Sequence, residues 1–237
     1  MMSRSRAICR GAISVILFGV FGLGALLITP AMLVLRKPEL CQPVVRAAWR
    51  LILFVFVGAR LIRIDRGNLG KIVGSVIAAS HPSLIDVLIL TAIIPRTMYV
   101  AKAGLRYNPF LAAIVRATAL PDDLTLPEKA APYLAKGWNV LIFPEGTRSP
   151  AEGGLHPLRR GAAQLALRTG APVACIRLTT SRRILGKCQQ PWDVGDEVVT
   201  YSLTHATISV DKPVGPVTHA AAVRLTEEIR ARLSPSF

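Results

Sequence analysis

No charged side chain occurs between Arg10 and Arg36 in this chain. An apolar segment of that length is enough for one helix across the hydrocarbon core of a bilayer. A cleaved secretion signal is the alternative interpretation, but its apolar part is shorter and a small-residue cleavage site would follow it. A second apolar stretch, residues 47–59, is too short to span and is typical of an interfacial or re-entrant helix. We therefore predict a membrane anchor over residues 1–60, with helices at 11–35 and 47–59.

The remaining residues, 61–237, alternate short apolar runs with segments of helical pattern. Strands are predicted near 61–65, 74–79, 97–101, 138–143, 172–178 and 197–210, and helices near 82–94, 108–116, 125–136, 159–169 and 218–233. Alternation of this kind indicates an α/β domain, because parallel strands need the crossover connections that helices supply. We expect a mixed, largely parallel sheet flanked by helices, behind an N-terminal hydrophobic membrane-anchoring helical segment. Residues 180–196 are basic and irregular, and no element is predicted there.

The chain is strongly basic, with 29 Lys and Arg against 14 Asp and Glu and a net charge of +15. Such a balance favours either nucleic acid or an anionic membrane surface as a partner. Aromatic residues make up only 6% of the chain, and it carries no nucleic-acid reader motif. The apolar N-terminus therefore favours membrane lipids as partners over nucleic acid, which we do not expect to bind.

Cysteine spacing gives no sign of a disulfide framework or a zinc site. The four cysteines are Cys9, Cys41, Cys175 and Cys188, and no two of them form a Cys-x-x-Cys pair. We interpret all four as reduced thiols and expect no metal.

A histidine and an aspartate stand close together in the run Ser80-His81-Pro82-Ser83-Leu84-Ile85-Asp86. Because proline is favoured at the first helical position, Pro82 predicts that His81 lies just outside the next helix and Asp86 in its first or second turn. Asp86 can then accept a hydrogen bond from one ring nitrogen of His81, which leaves the other nitrogen available as a base. The alternative is a carboxylate that only complements the helix dipole beside a capping histidine.

A second polar run, Phe143-Pro144-Glu145-Gly146-Thr147-Arg148-Ser149, follows the predicted strand at 138–143. Both polar runs therefore leave the ends of predicted strands in an alternating strand–helix pattern, which is where open α/β sheets bind ligands. Taken together, His81-x4-Asp86 and this run resemble the glycerolipid acyltransferase family, of which the 1-acyl-glycerol-3-phosphate acyltransferases are typical. The resemblance covers residues 60 to 180.

The resemblance implies a role for each polar residue of the two runs. His81 is the expected base and Asp86 orients it, while the acceptor is held by Glu145, Gly146, Thr147, Arg148 and, near its phosphate, Lys102. The donor is acyl-CoA or acyl carrier protein, and no further cofactor is expected. A thioester is already activated, so no enzyme nucleophile is needed, and the chain has no Gly-x-Ser-x-Gly elbow. The family also implies a bacterial-type inner membrane, with the site on the cytoplasmic face and a two-helix anchor in one leaflet.

Three positions depart from the family pattern. Gly104 stands where a glutamate usually follows Lys102, Asp122-Asp123 replaces an aspartate–arginine pair, and Cys175 replaces a proline. All three departures concern recognition of the acceptor, and none concerns the expected base.

These departures leave more than one function open. The first is transfer of a fatty acyl chain to 1-acyl-sn-glycerol-3-phosphate, which gives phosphatidic acid. The second is the same chemistry on another acceptor, such as lyso-ornithine lipid or a pigment-like lipid. The third is a non-catalytic lipid-binding membrane protein, which the complete set of His81, Asp86, Glu145 and Arg148 argues against.

Overall fold

The computed structural model describes residues 2–35, 37–108, 111–150, 152–186, 189–213 and 215–234. The α-helices are α1 (Met2–Leu35), α2 (Pro38–Gly58), α3 (Asp86–Ile93), α4 (Ala112–Thr118), α5 (Leu126–Ala135), α6 (Gly161–Thr169) and α7 (His219–Leu233). The strands are β1 (Ile62–Asp65), β2 (Val76–Ala79), β3 (Thr97–Ala101), β4 (Ala119–Pro121), β5 (Asn139–Ile142), β6 (Val173–Thr180) and β7 (Val199–Ile208). A short 3₁₀ helix covers Ala103–Tyr107.

The strands form one sheet in the order β1-β7-β6-β2-β5-β3-β4. Every neighbouring pair is parallel except β6 and β7, which are antiparallel. This confirms the predicted mixed, largely parallel sheet flanked by helices. The residues of β2 and β5 are all buried, as expected for central strands covered on both faces.

Alternate residues of β2 serve the two faces of the sheet. Val76 and Ala78 pack in a cluster with α5, α6 and α7, while Ile77 and Ala79 pack in a cluster that includes Leu90 of α3. The helices therefore form two layers with the sheet between them, and the carboxyl ends of the parallel strands remain uncovered at one edge.

Helix α2 begins at Pro38, nine residues before the predicted start of the second apolar helix. Proline at the first helical position explains the start. The prediction missed the first turns because their polar residues hide a buried stripe at helical spacing, formed by Cys41, Val45, Trp49, Leu53 and Phe56. With 21 residues, α2 is long enough to cross a membrane by length and composition, which corrects the expectation that it is too short. Residues Ser5–Met32 of α1 are also long and apolar enough.

Helices α1 and α2 share a hydrophobic cluster with the α/β part of the chain. Ala25 of α1 and Trp49 of α2 belong to the same cluster as Ile89 of α3, Ile114 of α4 and Tyr201 of β7. The predicted anchor is therefore packed against the α/β part instead of being joined to it by a bare linker.

Arg10 adds polar contacts at the junction between α1 and the α/β part. Its Nη1 donates to the Arg60 carbonyl at 2.6 Å, its Nε to that of Gly195 at 3.0 Å and its Nη2 to that of Glu197 at 2.5 Å. One arginine thus ties the first helix to two separate segments of the α/β part.

Further differences from the prediction include a later helix start and an additional strand. The helix expected from residue 82 begins at Asp86, because residues 82–85 form a turn whose backbone is bonded by the Asp86 side chain. Strand β4 was not predicted, since it has only three residues and follows α4 directly. The described residues between 181 and 198 contain no helix or strand, in line with their irregular sequence.

Candidate active site

His81 and Asp86 meet at the carboxyl end of β2. The Nδ1 atom of His81 lies 2.9 Å from Oδ2 of Asp86, whose side chain is fully buried. The ionised carboxylate can only accept, so it favours the tautomer with the proton on Nδ1, in which Nε2 is the ring nitrogen that can act as a base. The turn at residues 82–85 brings together two groups that point apart on a regular helix.

Ser83 and Tyr201 complete a buried network behind Asp86. The amide of Ser83 donates to Asp86 Oδ2 at 2.7 Å and its hydroxyl donates to Oδ1 at 2.8 Å, while the Tyr201 hydroxyl donates to Ser83 Oγ at 3.0 Å. Sequence reasoning assigned neither residue a role. The Ser-x-x-Asp spacing of a capping box was a usable signal for Ser83, whereas nothing in the sequence pointed to Tyr201, far along the chain on β7.

Burial governs the ionisation of this network. It raises the pKa of the Asp86 carboxyl above its ordinary value, and hydrogen bonds from His81 and Ser83 oppose that rise. Burial, and after it the nearby Asp86 charge, also raises the pKa of the Tyr201 hydroxyl. The tyrosine is therefore a neutral donor, and the hydrogen bonds from His81 and Ser83 favour the ionised carboxylate against the effect of burial.

The imidazole of His81 is fixed from a second side by the other polar run. Its ring stacks on Phe143 with centroids 4.1 Å apart and an angle of 21° between the planes. The parallel register explains the contact, because Ala78 of β2 pairs with Ile142 of β5 and the two following segments leave the sheet together. Asp86 and Phe143 thus leave the ring little freedom to turn.

Glu145 lies behind the site and not within it. Its side chain is 4% exposed; Oε1 accepts from the Ser149 hydroxyl at 2.6 Å and from the His81 amide at 3.3 Å. Its other oxygen, Oε2, accepts from the His156 amide at 2.9 Å. The structure therefore places Glu145 as a partner of three protein groups that joins the two polar runs.

Arg148 is partly engaged by the protein. Its Nη1 donates to the carbonyls of Leu185 and Gly186, both at 2.8 Å. These contacts tie the second polar run to the irregular segment that follows β6, while another part of the side chain lines the adjoining cavity.

A cavity of about 390 Å³ opens beside the His81 ring. Of the seven residues predicted for the site, its wall includes His81, Lys102, Gly146, Thr147 and Arg148, whereas Asp86 and Glu145 are buried behind it. The wall also contains Asp122, one of the departures from the family pattern, and Arg159, which the sequence analysis did not connect with the site.

Strand register explains how the charged residues of the wall come together. Ala101 of β3 pairs with Pro121 of β4, so that Lys102 and Asp122 follow at the same edge side by side. Gly146 has φ +64°, and a Cβ there would lie 2.7 Å from the Nε of Arg159. The absence of a side chain at Gly146 thus lets the Arg159 guanidinium come close to the loop.

Comparison with known proteins agrees with this geometry. The chain matches the Acyltransferase family over residues 60–179. A 1-acyl-sn-glycerol-3-phosphate acyltransferase of Cocos nucifera is 27% identical over 173 residues, 59% of this chain and 56% of that protein. A protein of the same name from Pseudomonas aeruginosa is 35% identical over 107 residues, 41% of each chain. The matched parts thus cover well under two thirds of these relatives.

A solved structure shows the same fold. The 1-acyl-sn-glycerophosphate (LPA) acyltransferase PlsC from Thermotoga maritima superimposes with a TM-score of 0.70 at 18% identity, over 96% of this chain and 95% of that one. The family match takes in both polar runs and half of the chain. This protein therefore belongs to the Acyltransferase family.

Proposed function

We propose that this protein is an O-acyltransferase that moves a fatty acyl chain from acyl-CoA or acyl carrier protein to the hydroxyl of 1-acyl-sn-glycerol-3-phosphate. The product is phosphatidic acid. One observation carries the proposal: the His81 ring, held by Asp86 at 2.9 Å, lies in the wall of a cavity that also presents Lys102, Arg148 and Arg159. A base and a group of cations share one space.

The proposed reaction needs one proton carrier. The Nε2 atom of His81 removes the proton of the acceptor hydroxyl as its oxygen bonds to the thioester carbon. Asp86 stabilises the imidazolium that forms, because the ionised carboxylate accepts from Nδ1. When the tetrahedral intermediate collapses, the carbon–sulfur bond breaks and the thiolate takes the proton from Nε2. The products are an ester and a free thiol, and His81 returns to its starting state.

The charges of the cavity wall support an anionic acceptor. In lysophosphatidate the phosphate and the reacting hydroxyl belong to one glycerol unit, so a phosphate-binding group must lie near the base. Lys102 and Arg159 are exposed, and neither makes an ion pair with a described residue. Guanidinium and ammonium groups bind phosphate oxygens by charge-assisted hydrogen bonds.

The two N-terminal helices support a lipid environment for this reaction. Apolar side chains on them are exposed, among them Leu27 at 73%, Val34 at 80%, Leu51 at 62% and Phe54 at 75%. Side chains of this kind fit lipid hydrocarbon better than water. We propose that α1 and α2 hold the protein on the bacterial-type inner membrane with the site on the cytoplasmic face, where lipid acceptors are available.

A second acceptor class is favoured by one observation, the carboxylate of Asp122 in the cavity wall beside Lys102. A carboxylate repels a phosphate but attracts an ammonium group. A lyso-aminolipid such as lyso-ornithine lipid carries such a group, and the same base serves it equally well.

The test is acyl transfer by protein purified in detergent. Labelled acyl-CoA and acyl carrier protein are each supplied with lysophosphatidate or lyso-ornithine lipid, and the lipid products are separated. We expect phosphatidic acid, and a loss of about 10²–10⁴-fold in rate for His81→Ala. His219→Ala is the matched control, because His219 is exposed on α7. A His81→Ala rate above about a tenth of the wild-type rate would exclude His81 as the base.

A further inference from the structure

A second cavity, of about 340 Å³, opens at the end of β6, and its wall includes Ser80 and Pro82, the two chain neighbours of His81. It is formed mainly by residues 177–183 at the end of β6, by residues 152–155 and by Ser80, Pro82 and Ser149, and is here called the arginine pocket. In the sheet, β2 lies between β5 and β6. The first cavity covers the ends of β3 and β5 and the arginine pocket covers the end of β6. His81 follows β2, so it stands between the two.

Strand register ties the arginine pocket to the base. Ala79 of β2 pairs with Ile176 of β6, which sets Ser80 beside Arg177. The Ser80 hydroxyl accepts from the Leu178 amide at 2.8 Å and donates to the Leu178 carbonyl at 3.1 Å. The residue immediately before His81 is therefore fixed to the wall of the pocket.

The lining of the pocket is basic and rich in hydroxyl groups. Its charged residues are Arg177, Arg182, Arg183 and Glu152, and its hydroxyl residues include Thr179, Thr180 and Ser181. Three cations against one carboxylate, with several hydroxyl donors, favour an anion with more than one accepting oxygen. A phosphate group has this chemistry.

The arginines differ in how far the protein already satisfies them. Arg177 donates from Nη1 to the Ser234 carbonyl at 3.0 Å, but its Nε is buried and no described group accepts from it. Arg177 therefore uses only part of its donor capacity on described residues, and because its side chain lines the pocket, a turn of the guanidinium lets it donate to an anion there. Arg182 pairs with Asp193 at 3.2 Å, and because both side chains are about half exposed, at 49% and 47%, this pair is readily exchanged for another anion.

We propose that the arginine pocket binds the phosphate at the far end of the phosphopantetheine arm of the acyl donor. This inference rests on the proposed function, in which the first cavity takes the acceptor and the thioester must reach His81 from elsewhere. CoA and acyl carrier protein both present the arm with a phosphate at the end remote from the sulfur. The pocket thus recognises a feature that the two donors share.

Binding without turnover tests the assignment. Calorimetry with detergent-solubilised protein compares CoA, 4′-phosphopantetheine and pantetheine, which lacks the phosphate, in the absence of any acceptor. We expect pantetheine to bind at least about tenfold more weakly than 4′-phosphopantetheine, and Arg177→Gln and Arg182→Gln to weaken 4′-phosphopantetheine by about tenfold each. Asp193→Asn releases Arg182 from its partner and should tighten binding.

Controls separate the possible results. Arg224→Gln removes an exposed arginine of α7 and should change no affinity. Arg182 is exposed, so its variant remains informative even if Arg177→Gln does not fold. Holo- and apo-carrier protein distinguish the two sources of the arm, because only the holo form carries it. An arginine-dependent affinity for either donor supports the pocket.

Two results would overturn the assignment: equal affinities for pantetheine and 4′-phosphopantetheine, or an unchanged 4′-phosphopantetheine affinity in both Gln variants. Absence of binding by CoA and by holo-carrier protein alike would do the same. Arginine-dependent binding without acyl transfer to any lyso-lipid would leave the pocket in place and reject the proposed function.

Discussion

The buried hydroxyls behind Asp86 allow a quantitative prediction, because each has a defined partner. The Ser83 hydroxyl donates to Asp86 Oδ1 at 2.8 Å and accepts from the Tyr201 hydroxyl at 3.0 Å, and the side chains of Asp86, Ser83 and Tyr201 are all fully buried. Tyr201→Phe removes one neutral hydrogen bond and leaves the donation to Asp86 intact. We expect it to lower the free energy of unfolding by about 0.5–1.5 kcal/mol.

Ser83→Ala is a more damaging change. It removes a hydrogen bond to a charged acceptor, worth about 1.5–3 kcal/mol, and it leaves the Tyr201 hydroxyl buried without its acceptor, which costs about 1–3 kcal/mol more. In the double variant this second cost disappears, because the hydroxyl of Tyr201 is also gone. The double variant should therefore be no less stable than Ser83→Ala alone, with a coupling of 1 kcal/mol or more between the two sites.

Denaturant unfolding of the wild type, Ser83→Ala, Tyr201→Phe and the double variant in the same detergent measures this double-mutant cycle. Acyl transfer, measured in parallel, should fall in both variants that lack the Ser83 hydroxyl, since Asp86 then loses one of its fixed contacts. Tyr201→Phe should stay within a few-fold of wild type, because it does not touch Asp86. Losses of stability that add to within about 0.5 kcal/mol would refute the network as described.

Two further predictions concern the cavity wall. Gly146→Ala should raise the acceptor KM, because the new Cβ would lie 2.7 Å from Arg159 Nε, and its φ of +64° should cost about 1–2 kcal/mol of stability. Gly137→Ala is the control: at φ +76° it should lose about the same stability without any change in KM. Arg148→Ala should raise the acceptor KM by the equivalent of about 2–4 kcal/mol and leave the donor KM unchanged. If Arg148→Ala alters only the melting temperature, its carbonyl contacts are its whole role.

Much of the fold follows from the sequence because the signals for it are local. The strands at 76–79 and 139–142 are short apolar runs that end at polar motifs, and a parallel sheet brings such ends to one edge. The start of α2 was missed for a physical reason as well. A helix that packs on a protein surface needs only one apolar stripe, so its polar residues weaken a prediction that counts hydrophobicity along the chain.

The roles within the site were harder to predict, because they depend on contacts between distant segments. Glu145 is part of the recognised motif, yet its carboxylate accepts from the backbone of His81 and His156 and is absent from the cavity wall. Motif membership cannot distinguish a residue that contacts substrate from one that holds the contacting residues in place. Tyr201 had no signal at all, since only the strand order brings β7 near the end of β2.

The last prediction concerns the ionisation of the buried Asp86, which should lower the stability of the fold and raise the rate of acyl transfer. Its pKa is raised by burial, so the folded state holds the proton more tightly than the unfolded chain. The stability that the protonated form contributes is therefore present at low pH and lost as pH rises through the folded-state pKa, at about 1.4 kcal/mol per pH unit between the two pKa values.

Asp86→Asn should remove this dependence. The amide can keep the contacts, since its oxygen accepts from His81 and Ser83 and its NH₂ group donates to the Ser83 hydroxyl, which is able to rotate. The difference in unfolding free energy, wild type minus variant, should thus fall with rising pH across that interval. Transfer should show the opposite trend, because only the ionised carboxylate stabilises the imidazolium, and the variant should be severely slowed at every pH. A difference in unfolding free energy that is constant with pH would mean that Asp86 has the same pKa in the folded and unfolded chain. It would refute the inference that ionisation of this buried carboxyl lowers the stability of the protein.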